Sequence, residues 1–251
     1  MVETEITIPN ECSLERISSD HKSIVRSAIE SYRRALDRLL VSVRLMGSAA
    51  RGEGVFAVSD IDFVALVSMN PDAHQRDMIA SDAKKLTLDH QCVSRVDLEV
   101  EIKGRVKPVR EFTFRTDSIC IWGADDYSSA QTRMSNTALA KLTTPDFNGL
   151  ISGYKQQLKG SMNGGDLGRL GRSAGKDLLK CFRKYLILYR GIYRKSANDI
   201  HGQLMLCYPD HGETFNCLLR IYDQPVDRKE ELLQILKMAQ ASYEMLDKAS
   251  T

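Results

Sequence analysis

In the stretch Ser59-Asp60-Ile61-Asp62-Phe63-Val64-Ala65-Leu66-Val67, two acids alternate with large apolar residues at the mouth of an otherwise apolar run. Period-two alternation reads as a β-strand. Side chains at i and i+2 share a face and stand roughly 6.5 Å apart. Asp60 and Asp62 therefore leave the sheet together, while Ile61 and Phe63 enter the core on the other side. Two carboxylates at that spacing repel by roughly 2 to 3 kcal/mol at an effective dielectric near 20, which a bound cation would offset. Magnesium, a hard ion that takes carboxylate oxygens and shares its shell with phosphates, suits the pair.

Upstream, Val41, Val43 and Leu45 form a second short apolar strand that runs into Gly47-Ser48. Glycine has no Cβ, so the chain can bend sharply there and come close to a ligand. Ser48 and the Ala49-Ala50-Arg51 stretch can begin a helical turn whose free N–H groups meet phosphate oxygens, with Arg51 as a charge-assisted donor. An isolated Asp-x-Asp is common on solvated hairpin ends. The preceding Gly-Ser turn and the two flanking strands turn the reading toward a metal and triphosphate site.

A Gly-Ser turn followed by an Asp-x-Asp strand resembles the signature of the DNA polymerase beta-like nucleotidyltransferase superfamily. In size and spacing the chain is most similar to the aminoglycoside nucleotidyltransferases and to the minimal nucleotidyltransferases paired with toxins. The signature itself spans Gly47 to Phe63. The resemblance implies a third carboxylate on a neighbouring strand, and Ser94-Arg95-Val96-Asp97-Leu98-Glu99-Val100-Glu101-Ile102 offers three acids on one face, alternating with apolar residues. The minimal enzymes are similar at Asp97 and the aminoglycoside branch at Glu99; Asp97 ranks first, Glu99 second, and Glu101 lies further along. The implied chemistry is transfer of AMP from ATP to an acceptor hydroxyl with loss of pyrophosphate. Asp60, Asp62 and Asp97 would hold one or two Mg2+ ions, Asp97 or Glu99 would serve the attacking hydroxyl, and Gly47, Ser48 and Arg51 would contact the nucleotide.

The rest of the chain fits an α+β architecture: a small mixed sheet with backing helices, the polymerase beta-like nucleotidyltransferase fold, over residues 1–126, then a helical bundle over 127–251. The chain has 251 residues, 43% of them hydrophobic and 27% charged, enough for one good core or two modest ones. An amphipathic helix is expected from Asp20 to Leu40, capped by Ser19 or Asp20, with strands at 42–46, 60–67 and 95–102. A helix follows Pro71 to about Leu88, and a last strand, Ser118 to Ile121, leads to Trp122-Gly123. From Tyr127 onward the apolar spacing is helical. No basic leader or long apolar span appears at the N-terminus or elsewhere, and six scattered cysteines without a Cys-x-x-Cys pair suit reduced thiols. A cytoplasmic location, without a membrane partner, is the expectation.

Gly160 to Gly175, "GSMNGGDLGRLGRSAG", is rich enough in glycine to predict a loop over at least its first half. Its end, Gly171 to Lys176, lacks P-loop spacing and has Asp177 where Ser or Thr would be required. The helix beyond has an apolar stripe of Leu178, Phe182, Tyr185 and Tyr189 and a basic face of Lys176, Lys180, Arg183 and Lys184. Residues 1–126 carry an excess of acids and 127–251 an excess of bases, under a formal charge of +2. Lys180 and Arg183 are accordingly candidates for phosphate. The final helix, Asp227 to Lys248, points Leu232, Ile235, Leu236, Ala239 and Met245 at the core. The helical half has few grouped acids to select a polycationic acceptor. Partners are a nucleoside triphosphate and an unidentified hydroxyl acceptor, with nucleic acid disfavoured by a modest pI near 8.2. An active enzyme on a small molecule such as an antibiotic is the first reading. An antitoxin-like module of the same fold, binding or nucleotidylating a partner protein or RNA, is the alternative.

Overall fold

The structure, a computed structural model, describes residues 2–128, 131–160 and 164–249. The chain falls into two compact units, Thr7–Arg133 and the remainder, Met1–Ile6 with Met134–Thr251. The boundary therefore lies beyond 126, and the first residues belong with the helical unit.

In order, the elements are β1 (Glu5–Pro9), α1 (Lys22–Leu36), β2 (Leu40–Met46), α2 (Gly47–Arg51), β3 (Ile61–Val67), α3 (Ala73–Asp89), β4 (Val96–Ile102), α4 (Pro108–Thr116), β5 (Ser118–Gly123) and β6 (Gln131–Ser135). The helices α5 (Asn136–Thr143), α6 (Phe147–Gln157), α7 (Gly164–Arg190), α8 (Ala197–Cys207), α9 (Gly212–Asp223) and α10 (Lys229–Ala249) follow. This is the expected α+β architecture. The principal sheet has the order β4-β3-β2-β5, with β2 antiparallel to both neighbours and β3 parallel to β4. The β3-to-β4 crossover is α3, started by a capping box in which Asp72 and Gln75 satisfy each other's backbone N–H groups.

Alternation along β3 separates two cores. Ile61, Phe63 and Ala65 pack with Val43 and Leu45 of β2 under Ile24, Ala28, Tyr32 and Leu36 of α1 and Ile79 and Leu86 of α3. Val64 and Leu66 point the other way and meet Met46, Phe114 of α4 and Tyr127. Asp62 heads that second row. The Tyr32 hydroxyl, fully buried, reaches the carbonyls of Phe63 (3.1 Å) and Glu99 (2.8 Å) and so ties β3 to β4 from beneath. Burial, reinforced by the nearby Glu99 charge, raises its pKa well above the usual tyrosine value.

Local signals mislead in four places. The long helix expected from Asp20 to Leu40 is shortened to α1 between two 3-10 turns, Ser19–His21 and Asp37–Leu39, because Asp37 takes a positive φ of 44° that closes the helix. Neither Ser19 nor Asp20 is the N-cap: Ser18 precedes the first turn and His21 precedes α1, without a side-chain cap bond. Strand β3 begins at Ile61, so Asp60 sits at its threshold rather than inside it. The helical spacing read from Tyr127 gives way to strand over Gln131–Ser135, which pairs with β1. Partners so distant in sequence leave no hairpin signal to read.

The glycine-rich stretch departs most. Residues 161–163 lie outside the described part, but from Gly164 the chain is already helix α7, which carries Gly171 to Lys176 in its interior. Close packing explains the glycines. A Cβ on Gly175 would lie 2.4 Å from the Leu218 carbonyl oxygen of α9, and one on Gly171 would lie 2.9 Å from Val226 Cγ2. Helix propensity is sacrificed so that two backbones can touch. Replacing Gly175 by Ala gains propensity but forces α7 and α9 apart; a net loss of about 1 to 3 kcal/mol is expected in urea unfolding. A Gly175→Ala protein as stable as the parent would contradict this packing.

Beyond the glycines, Leu178, Phe182 and Tyr185 are fully buried, while Tyr189 at the end of the stripe is exposed and stacks on Tyr185. In α10 the core residues are as expected except Met245, which is exposed; Leu246 is buried in its place. No helix among the described residues is long and apolar enough to cross a membrane.

Candidate active site

Strand β2 ends at Met46, which is paired with Asp62 across the antiparallel ladder. The next residue, Gly47, turns the chain with φ +67°, a conformation that strains any residue with a Cβ, and donates its N–H to the Asp117 carbonyl at 3.0 Å. A Cβ there would stand 3.8 Å from Asp62 Oδ2. The turn and the acid are thus neighbours by construction: the ladder places Met46 opposite Asp62, and the glycine starts α2 beside it. Helix α2 is a single short turn that stops at Gly52, and Glu53 N–H closes it on the Ser48 carbonyl at 2.8 Å.

The parallel β3–β4 pairing sets Asp62 directly beside Asp97. Backbone bonds from Ser94 to Ser59 and from Ile61 to Arg95, both 2.9 Å, extend the ladder to the level of Asp60. Asp60, Asp62 and Asp97 each bring a carboxylate oxygen within 4.8 Å of the others, all three half-buried. In this register Asp97 is the acid of β4 that lies beside the pair. Glu99 is aligned with Val64 and Glu101 with Leu66; at about 3.3 Å per residue, Glu99 lies roughly 6.6 Å further along the strand. Both glutamates are engaged by Arg110 of α4: its Nη2 pairs with Glu99, and its Nε is 3.5 Å from Glu101.

Arg51, expected to donate to phosphate, has its guanidinium turned into the protein instead. It is 8% exposed, pairs with Asp117 and donates from Nε to Glu53 at 2.8 Å. Burial disfavours its charge, yet Asp117 and Glu53 outweigh that and hold its pKa above the ordinary arginine value. Arg51 thereby fastens α2 to the segment whose Asp117 carbonyl receives Gly47. Ser48 lies within α2, half-buried.

In the helical unit, Arg183 is 5% exposed and donates to the carbonyls of Thr143 (2.9 Å) and Arg194 (3.0 Å), with its guanidinium over the Tyr193 ring. The basic face expected along α7 is therefore interrupted at this residue: the guanidinium joins segments of its own unit. Lys180, half-buried, is 3.9 Å from Asp177 one turn earlier.

The sequence reading missed Arg95. From the residue that leads into β4, its guanidinium donates to Asp97 Oδ2 at 2.6 Å and lies 3.7 Å from Asp60 Oδ2. The signal was available, since Arg95 and Asp97 are two apart and share a face of an extended chain. What was missing was the neighbour across the sheet.

Three converging carboxylates with oxygen ligands only are the donor set of a hard divalent cation, and mutual approach within 4.8 Å permits a shared ion. Among solved structures, the chain is similar to the spectinomycin adenyltransferase AAD(9) from Enterococcus faecialis, determined with ATP and spectinomycin. Identity is 11% and the TM-score 0.57, over 87% of this chain and 97% of that one. A toxin-antitoxin structure with AMP-PNP overlaps 40% of this chain and 73% of its own, at 22% identity and a TM-score of 0.31. A tri-AMPylated Shewanella oneidensis HEPN toxin in complex with MNT antitoxin overlaps 41% and 73%, at 21% identity and a TM-score of 0.29. No protein-family model and no curated protein sequence matches the chain. The first likeness covers most of this chain and nearly all of that one and shows a shared fold, a small mixed sheet with helices followed by a helical part.

Proposed function

We propose that the protein is a metal-dependent nucleotidyltransferase that moves AMP from ATP to a hydroxyl of a small acceptor and releases pyrophosphate. The observation that carries this reading is the trio Asp60, Asp62 and Asp97, gathered beside the Gly47 turn. The fold supports it, since the similar AAD(9) structure holds ATP and an antibiotic.

Asp60, Asp62 and Asp97 would hold Mg2+, which when bound neutralises charge on the α-phosphate and on the leaving phosphates. Gly47 lets the backbone approach the triphosphate, and Ser48 offers a hydroxyl and an N–H to its oxygens. The acceptor oxygen bonds to the α-phosphorus, the bond from that phosphorus to the bridging oxygen of the β-phosphate breaks, and pyrophosphate departs with the electron pair. The hydroxyl proton passes to the Asp97 carboxylate. An ionised aspartate is a weak base for an alcohol, so orientation and charge neutralisation supply most of the rate. Glu99 belongs to the α4 side through Arg110 and has no step here.

The overall organisation supports a small-molecule acceptor. The chain matches AAD(9) along 97% of that chain, helical unit included, which favours a self-contained enzyme acting on a small molecule. The test is incubation with ATP labelled at the α-phosphate and Mg2+ against aminoglycosides, aminocyclitols, lincosamides, RNA and host lysate. Label transferred to a small hydroxyl compound supports the reading; label transferred only to protein or RNA replaces it with the interaction-module alternative.

A further inference from the structure

Arg95 occupies an unusual place. Its backbone is locked into the ladder, with its carbonyl receiving the Ile61 N–H at 2.9 Å, yet its side chain is 62% exposed. The guanidinium nevertheless lies over the acidic trio, 2.6 Å from Asp97 and 3.7 Å from Asp60. Its single positive charge thus faces two of the three carboxylates that a cation would need. A fixed Cα with a solvent-facing side chain suits a group that must leave and return.

We propose that Arg95 is a built-in counter-cation of the site, holding the carboxylates together before substrate binds and yielding its place to the metal. This inference rests on the metal reading above. A guanidinium and a divalent ion on the same Asp97 carboxylate repel each other. Entry of the metal alone displaces Arg95 into solvent. Entry together with a triphosphate supplies new negative charge for the displaced arginine, so metal and nucleotide bind with positive coupling. The consequence is an enzyme that takes up its metal chiefly with its nucleotide.

The test uses the full chain and Mn2+ as the probe, with bound metal read by electron paramagnetic resonance and by calorimetry. Wild type, Arg95→Gln, Arg95→Lys and Asp62→Asn are each titrated with and without a non-hydrolysable ATP analogue. Without nucleotide, Arg95→Gln is expected to bind Mn2+ about tenfold tighter than wild type, a screened, near-surface estimate. Arg95→Lys, which keeps the charge, should stay near wild type. The strengthening of Mn2+ binding by the analogue should shrink in Arg95→Gln. Unchanged or weaker Mn2+ binding in Arg95→Gln, with binding still lost in Asp62→Asn, overturns the counter-cation role and leaves the metal site standing. Equal Mn2+ binding by Asp62→Asn and wild type, or none by any protein, overturns the metal site and the inference with it.

Discussion

Asp62→Asn is expected to lower nucleotidyl transfer by at least about 10³-fold while leaving the fold intact. The substitution is isosteric and sits on a half-buried strand residue at the edge of the second core row, so packing is preserved. Only the charge is removed. In the native site three carboxylate oxygens lie within 4.8 Å of one another, a repulsion of about 1 to 3 kcal/mol per pair depending on solvent screening. Removing one charge relieves that repulsion, so without ligands the variant should melt at the same temperature as the parent or slightly above. On the proposed function a bound cation would supply the same relief, and losing a ligand would weaken its hold on the α-phosphate. Single-turnover transfer of labelled AMP with a thermal melt of the same preparation measures both sides. A stable variant with parental turnover would refute the assignment of Asp62.

The largest expected loss of stability belongs to Arg44→Ala. Arg44 is 1% exposed in the middle of β2, among the largest fully buried side chains of its unit. Its Nε donates to Ser118 Oγ at 2.8 Å, Nη2 donates to the Phe114 carbonyl at 3.2 Å, and Nη1 pairs with Asp125. The guanidinium also lies over the rings of Phe114 and Tyr127, 5.6 and 5.7 Å from their centres. Truncation leaves a void, removes a donor from the Phe114 carbonyl and from Ser118 Oγ, which keep their mutual bond at 2.9 Å, and deprives Asp125 of its cationic partner, leaving it the Tyr127 N–H at 3.1 Å. The loss of a buried pair typically amounts to 3 to 5 kcal/mol; Asp125 keeps some contact with water, so about 3 kcal/mol is expected in urea unfolding. Lysine should recover part of it, because it restores the charge but not the planar fork. Activity should fall as well, since Arg44 grips the β5 segment at Ser118, next to the Asp117 carbonyl that receives Gly47. A shift below about 0.5 kcal/mol would place Arg44 among ordinary surface-like residues and refute this account.

The two cases differ in what could be read in advance. Alternation made Asp62 legible from its own neighbours, whereas Arg44 sits in Val43-Arg44-Leu45-Met46 like any outward residue of an edge strand. Its burial follows from the arrival of α4 and β5 from far along the chain. The loop predicted over at least the first half of Gly160 to Gly175 failed from Gly164 onward for the same reason: local propensity counts glycine as a helix breaker, and only the approach of α9 and Val226 turns it into a requirement.

The sequence by itself determined the strand–turn–strand from Val41 to Val67, the placement of Asp60 and Asp62 outside the apolar face, and the order of a mixed sheet followed by helices. Those features follow from periodicity and backbone sterics, which act between residues close in the chain. Tertiary structure alone decided that Asp97 rather than Glu99 completes the trio, that Arg51 turns inward to Asp117, and that Arg95 lies across the acids. Each of these depends on strand register and on charges brought together from distant segments, and Coulomb energy depends on distance in space, which the order of residues does not contain.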